Sequence, residues 1–275
     1  MNNWAIIGLG FISQRHVQAI EDIGDKLTMA CDSDASKSVK VPNARFFTDY
    51  IKMIKDPRFK DIDWVAICTP NYLHLVMIMN LMKNDKNVLC EKPLVIKYHD
   101  IENIGILKKH TQLYTVMQLR HNPELQELKR GLHEGKDYEG SMTINLHRGD
   151  FYFKGWKGDK EKSGGLLFNI GIHYFDLLIW FFGEPLSWKT YELTDKNANG
   201  ELRFKNAKIT WSLSIAAPMD NQIRRLTIND RNIDLTRHFE DLHTKVYQDL
   251  KLGKGVTYDE AGRAIKVIEK MIYER

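Results

Sequence analysis

Three groups of residues have types and spacings that could do chemistry. Gly8-Leu9-Gly10-Phe11-Ile12-Ser13 stands at the end of the apolar run Trp4–Gly8 and opens a helical pattern. Gly8 permits a tight turn there, and Gly10 lets the backbone approach a pyrophosphate. The helix N-terminus then offers free N–H groups and a positive dipole end to that anion. The third fingerprint position is Ser13, small but neither Gly nor Ala. Glu91-Lys92-Pro93 directly follows the apolar run Asn87–Cys90. A lysine at such a strand end can contact both a cofactor ribose and a substrate hydroxyl, and burial there lowers an amine's pKa. Pro93 fixes the chain direction after it. The third group is Gly164–Asp176. On a helix, Asn169 and His173 stand four apart, and His173 and Asp176 three apart, so all share a face. Asn169 reads as the N-cap of that helix. An imidazole so placed can act as a base near neutral pH, with a carboxylate nearby to orient it.

Other residues support these groups. Asp32 ends the second apolar run, close to the ~20 residues after the glycines at which an acidic residue holds an adenosine ribose. A carboxylate there accepts from both ribose hydroxyls and repels a 2′-phosphate, which favours NAD over NADP. Its alternative is a turn or cap role within Asp32-Ser33-Asp34. Thr69, Pro70 and Asn71 follow the strand ending at Cys68, where ligands bind in open α/β sheets. They read as cofactor neighbours, and so does His74, for which a buried structural role is the alternative. His173 and Asp176 have no further ligand cluster beside them, so no metal site is expected.

These residues need a scaffold. The first 118 residues alternate short continuous apolar runs (4–8, 27–31, 63–68, 87–90, 113–117) with helical stretches (11–23, 73–82, 101–109). That pattern is a parallel sheet covered on both faces. Residues 119–275 read as an α+β domain with a large, mostly antiparallel sheet. Helices are expected at 122–133, 170–182, 238–251 and 258–273, and strands at 141–146, 187–193, 201–204, 208–215 and 225–228. The expected fold is therefore α/β: a Rossmann domain at 1–118 followed by an α+β substrate-binding and oligomerisation domain at 119–275.

Composition narrows the class. Of 275 residues, 43% are hydrophobic and 28% charged, enough apolar surface to exclude a disordered chain. Lys+Arg 40 against Asp+Glu 36 gives +4, which demands neither nucleic acid nor a membrane surface. No apolar run approaches the ~20 residues of a bilayer span, and Met1-Asn2-Asn3-Trp4 lacks the pattern of a signal peptide. Cys31, Cys68 and Cys90 each end an apolar run and read as reduced core thiols of a cytoplasmic protein.

Taken together, G-L-G-F-I, E-K-P and G-G-x₃-N-x-G-x-H-x₂-D resemble the Gfo/Idh/MocA oxidoreductases over nearly the whole chain. Gln118-Leu119-Arg120-His121, Lys154–Asp159, Asn169–His173 and Asp241–Thr244 are similar to the motifs of one group within it, the UDP-N-acetylglucosaminuronate 3-dehydrogenases of the WlbA/WbpB type. The resemblance implies NAD as cofactor, held by Gly8, Gly10, Phe11, Ile12, Asp32, Thr69, Pro70, Asn71, His74, Glu91, Lys92 and Gln118. It implies oxidation of a nucleotide-sugar 3-hydroxyl in surface polysaccharide (lipopolysaccharide) biosynthesis, with α-ketoglutarate serving to reoxidise bound NADH. Lys92, His173 and Asn169 would be catalytic, with Lys92 and His173 converging beside the nicotinamide. Either could be the base, and the sequence does not choose. Arg120, Arg148, Tyr152, Trp156 and Lys157 would bind the substrate's carboxylate, diphosphate and rings, with Lys154, Lys160 and Lys162 as further cations. An inositol or other sugar, or a non-catalytic NAD-binding regulator, are the alternatives. The resemblance also implies a homodimer or homotetramer built on the uncovered sheet face, for which Trp188 and Trp211 are candidates, a core position being an equal alternative for both.

Overall fold

The computed structural model describes residues 1–107, 111–237 and 241–274. In chain order the elements are β1 (Asn3–Ile7), α1 (Ser13–Asp22), β2 (Lys26–Cys31), β3 (Arg45–Phe47), α2 (Tyr50–Lys55), β4 (Trp64–Ile67), α3 (His74–Lys83), β5 (Asn87–Cys90), α4 (His99–Leu107) and β6 (Leu113–Thr115). There follow α5 (Pro123–Gly131), β7 (Tyr138–Asn145), α6 (Phe151–Lys154), α7 (Lys160–Ser163), α8 (Ile172–Phe182), β8 (Ser187–Leu193), β9 (Asn197–Arg203), β10 (Ala207–Ser214), β11 (Ile223–Ile228), β12 (Arg231–Asp234), α9 (Leu242–Lys251), β13 (Val256–Thr257) and α10 (Tyr258–Tyr273). The ends of two expected helices, at 108–109 and 238–240, lie outside the described residues.

The chain divides into two compact units. The first comprises Met1–Val95, His99–Gln118 and Asp241–Asp259, and the second Ile96–Tyr98, Leu119–Glu240 and Glu260–Arg275.

The first unit holds a seven-stranded sheet in the order β13-β6-β5-β4-β1-β2-β3. Every pairing is parallel except the edge pair of β13 with β6. Trp64–Ile67 is buried throughout, as the continuous apolar run required. The strand order reverses between β1 and β4, so the β1–α1 turn opens at a switch point, where such sheets bind ligands. Residues 241–259 return to this unit for reasons of packing. Trp4 stacks on Trp64 at 5.4 Å and meets Tyr247 of α9 at 4.8 Å. Lys251 pairs with the fully buried Asp25 carboxylate at 3.0 Å, and Thr244 donates to Asp22 at 2.7 Å.

The second unit is a six-stranded sheet in the order β12-β11-β7-β10-β9-β8. It is antiparallel except for β10 on β7. β10 alternates buried Ala207, Ile209, Trp211 and Leu213 with Lys208, Thr210, Ser212 and Ser214, the period-2 signature of a sheet apolar on one face only. Phe175 of α8 meets Trp211 edge to face at 5.2 Å. Trp211 is therefore core and 2% exposed, the second of its two expected roles; Trp188 donates its Nε1–H to the Glu274 carbonyl at 3.1 Å. The helical stretch Lys160–Phe182 runs 23 residues at a mean hydropathy of 1.5, long and apolar enough for a membrane span, but 72% of it is buried inside the protein. It is not one unbroken helix: α7 ends at Gly164, which is left-handed at φ +79°, and the chain resumes through the π-helical turn Leu167–Gly171 into the buried helix α8.

Candidate active site

In the first unit, the turn after β1 is built by close approach. Gly8 has φ +93°, and a Cβ there would meet the Cys68 carbonyl oxygen at 2.7 Å and Thr69 N at 2.9 Å. Gly8→Ala is expected to cost about 1–3 kcal/mol from backbone strain alone, more with the clash, read as a lower urea midpoint and lost NAD binding. A Cβ on Gly10, by contrast, would meet nothing within 4 Å. The backbone is bare toward open space, as a pyrophosphate requires. Ile12 precedes α1 without a side-chain cap, so the helix N-terminus keeps its N–H groups for a ligand. Ser13 is buried and donates to the Gly10 carbonyl at 2.7 Å, filling the third fingerprint position with a small residue. Phe11 is 90% exposed.

Asp32 reaches back to this turn. Its Oδ2 accepts from Leu9 N at 2.7 Å, its Oδ1 from Asp34 N at 3.0 Å, and Lys37 Nζ lies 3.0 Å from both oxygens. Burial pushes its carboxyl up, but the Asp34 and Leu9 donors and Lys37 together hold it below the usual range. It is an anion at neutral pH, and its partner Lys37 is part-exposed, with its side chain 31% accessible. Thr69 and Pro70 are half-buried and Asn71 is buried, at the end of β4. The buried Gln118 presents an Oε1 with no hydrogen-bond partner among the described residues, an acceptor of the kind a bound ligand satisfies. The turn, the helix end, Asp32 and Gln118 thus fit NAD.

Two residues expected beside the cofactor have their side chains on internal partners. His74 is fully buried, with ring nitrogens 2.8 Å from the Pro93 carbonyl and 2.9 Å from that of Thr69. Burial lowers its pKa, so it is a brace between two strand ends, the structural alternative. Glu91 is buried. Its Oε1 accepts from His16 Nε2 at 2.9 Å and His243 Nε2 at 3.4 Å, in a buried cluster that sequence reasoning missed. His16 was readable: on the buried face of α1 it follows Ser13 by three positions and precedes Ala19 by three. Lys92 follows Glu91 on a cis Lys92-Pro93 peptide and is half-buried.

In the second unit, residues Leu167–Gly171 form a π-helical turn that runs directly into α8. Asn169 lies inside this turn and is not the N-cap, because the helix has already begun. Its Nδ2 donates to Tyr152 Oη at 2.5 Å. The wider turn also moves Asn169 off the four-residue alignment with His173 assumed for a regular helix, a local irregularity common at functional sites. Asp176 is taken by Arg120 through a fork: Nη2 to Oδ1 at 2.7 Å and Nε to Oδ2 at 2.9 Å, with Nη1 on Glu260 at 3.1 Å. Arg120, expected on the substrate, is thus committed to internal carboxylates. Lys160 and Lys162 pair with Asp195 and Asp159 on the surface, and Lys154 is exposed.

Arg148 and Lys157 differ from these. Burial of its amine and then the nearby Arg148 charge lower the Lys157 pKa, although the residue as a whole is exposed. Lys157 lies 5.7 Å over the Trp156 ring, and Arg148 donates to its neighbour's carbonyl at 2.9 Å. Among the described residues neither has an acidic partner. Tyr152 and Tyr174 share this field: burial raises both phenols, while Arg148 acts against the rise in each. The Arg148 charge thus acts on Lys157, Tyr152 and Tyr174 alike.

Comparison with known proteins decides the family. Residues 2–118 match the oxidoreductase family's NAD-binding Rossmann fold, and residues 129–229 match its C-terminal alpha/beta domain. The chain belongs to the Gfo/Idh/MocA oxidoreductase family. A solved structure of the WlbA (WbpB) dehydrogenase from Thermus thermophilus, in complex with NAD and alpha-ketoglutarate, superposes at TM-score 0.94 with 33% identity over 100% of this chain and 96% of that one. The same enzyme with NAD and UDP-GlcNAcA gives 0.91 and 33%, covering 98% and 94%. The scyllo-inositol 2-dehydrogenase (NADP(+)) IolU of Bacillus subtilis is 29% identical over 67% of this chain and 60% of its own length. The alignments with the curated relatives span about half to three fifths of their lengths.

Proposed function

We propose that the protein is an NAD-dependent dehydrogenase that oxidises the 3-hydroxyl of a nucleotide-linked sugar, UDP-N-acetylglucosaminuronic acid, to the 3-keto sugar. The observation that carries the substrate class is the likeness to the WlbA (WbpB) dehydrogenase solved with NAD and UDP-GlcNAcA, and it is supported by Arg148 and Lys157, cations that feel each other's charge and have no acidic partner among the described residues. A substrate with a carboxylate and a diphosphate supplies one; a neutral inositol does not. NAD, when bound, accepts the hydrogen and electrons from the sugar carbon. The chain's residues hold the cofactor and move the proton. The bare Gly10 backbone and the α1 N-terminus take the pyrophosphate, and Asp32 takes the adenosine ribose. Lys92 holds the reacting oxygen and His173 accepts its proton, with the reverse assignment separated by the variants discussed below. Asn169, anchored on Tyr152, orients a neighbouring hydroxyl.

The reading extends to its setting. Reoxidation by α-ketoglutarate would let one bound NAD turn over repeatedly. The product suits amination in surface polysaccharide biosynthesis. A cytoplasmic setting suits three buried free thiols, and a homodimer or homotetramer would use the polar face of the six-stranded sheet.

The test is incubation with UDP-N-acetylglucosaminuronate and NAD, with and without α-ketoglutarate, and mass spectrometry of the sugar. Loss of two hydrogens supports the reading. No such product, with turnover of inositol, replaces it by a polyol dehydrogenase. Asp32→Ala is expected to weaken NAD binding about 10–100-fold, the worth of hydrogen bonds to a charged group, and to leave NADP less disfavoured. Titration of protein fluorescence with each nucleotide measures both, and an unchanged NAD Kd rules out the ribose role.

A further inference from the structure

Four buried polar side chains of the first unit have no place in the roles above. His16 on α1, Glu91 at the end of β5, and His243 and Tyr247 on α9 form one connected network. Counting protons fixes its state. The bonds from His16 and His243 hold the Glu91 carboxyl well below its usual range against burial, so it is the anion. Burial lowers the His16 pKa, so its ring is neutral and has one N–H. With that N–H on Nε2, donated to Glu91 Oε1 at 2.9 Å, Nδ1 accepts from Tyr247 Oη at 2.7 Å. His243 Nε2–H donates to the same Oε1 at 3.4 Å. The second carboxylate oxygen, Oε2, accepts from the peptide N–H of Lys92 at 3.2 Å.

The other titratable groups against Glu91 are Cys68 at the end of β4, Cys90 on β5 and His74 on α3. Burial pushes both thiols and the Tyr247 hydroxyl up and His74 down, so all are neutral. Glu91 carries a fixed negative charge one residue before Lys92. A satisfied buried network of this kind is rigid and hard to replace. It also ties the helix of the glycine turn to the strand end that carries the lysine.

We propose that Glu91, backed by His16, His243 and Tyr247, is a positioning residue for Lys92: it fixes the peptide from which the lysine leaves β5 and its charge favours the ammonium. The proposal rests on the reading that Lys92 serves the reacting hydroxyl. His16, Glu91 and His243 place ligand atoms within 4.8 Å of one another, as a metal would require. Hydrogen bonding accounts for those distances without an ion.

Glu91→Gln keeps the volume but replaces one acceptor oxygen with an N–H donor, so either the imidazoles or the Lys92 N–H loses its partner. The experiment follows acylation of Lys92 by an amine-reactive reagent against pH, read by peptide mass spectrometry, with kcat and NAD Kd measured alongside. Loss of the anion destabilises the ammonium, so the acylation midpoint is expected to fall, giving about threefold or more free amine at a given pH. The expected kcat falls about tenfold or more, while NAD Kd stays within about threefold. An unchanged midpoint in folded Glu91→Gln overturns the proposal, and so does stoichiometric metal in the purified protein. If the wild type turns over no sugar nucleotide while the midpoint still moves, the reading of the reaction fails and the network stands. Should Glu91→Gln not fold, Lys92→Met provides the reciprocal measurement. Coupling is mutual, so removing the ammonium must shift the imidazole N–H resonances of His16 and His243, and unmoved resonances overturn the proposal.

Discussion

Lys92→Ala and His173→Asn are each expected to remove turnover while NAD still binds. Positioned proton transfer contributes about 10²–10⁴-fold, and each variant is expected to lose at least that much in kcat, followed as NADH absorbance in single-turnover mode. NAD affinity is the internal control, because Asp32, Gly10 and the α1 N-terminus are untouched. The two variants also settle which group is the base. The base's variant loses the pH dependence of its rate, and the other variant keeps a titration flank at lower activity. Near-normal single-turnover rates in either variant remove that residue from the reaction.

The sequence carried the first unit well because its signals are short-range and backbone-based. Gly8 and Gly10 are set by their own φ angle and approach distances, and each buried parallel strand is a continuous apolar run. The second unit was legible in its strands, since β10 alternates residue by residue, but its helix start was not. The π-helical turn at Leu167–Gly171, within which Asn169 donates to Tyr152, has no signal in the local sequence. The remaining misreadings concern which partner a charged group finds. Glu91 stands in a cofactor-side motif yet turns to His16 and His243, because burying a carboxylate demands donors and α9 brings one from 152 residues away. Likewise Arg120, which follows a strand end as a substrate-binding arginine would, satisfies its fork on Asp176, 56 residues on. Such pairings are properties of the packed interior and have no spacing signature.

That Arg120–Asp176 pair leads to the largest stability effect expected in the second unit. Burial pushes the Asp176 carboxyl up, opposed first by the Arg120 charge and then by its hydrogen bonds. The side chain of Asp176 is 2% exposed and that of Arg120 11%, so neither can turn to water when the other is lost. Arg120→Met leaves a buried carboxylate without its cation and is expected to cost about 3–5 kcal/mol, measured by urea unfolding. The sign of its pH dependence follows. Beside Arg120 the Asp176 carboxyl already lies above its unfolded value, because burial outweighs the guanidinium, and losing Arg120 raises it further. Its protonated form is then the stable one, and the deficit grows as pH rises from about 4 upward through that raised pKa. The double variant Arg120→Met, Asp176→Leu removes both charges and is expected to recover most of the loss. Because Asp176 lies one turn after His173 on α8, the single variant also lowers kcat where the double restores it only if helix placement matters to the imidazole. A single variant as stable as the wild type at neutral pH would show that the fork is incidental, and a double variant worse than the single would show that Asp176 has a role apart from Arg120.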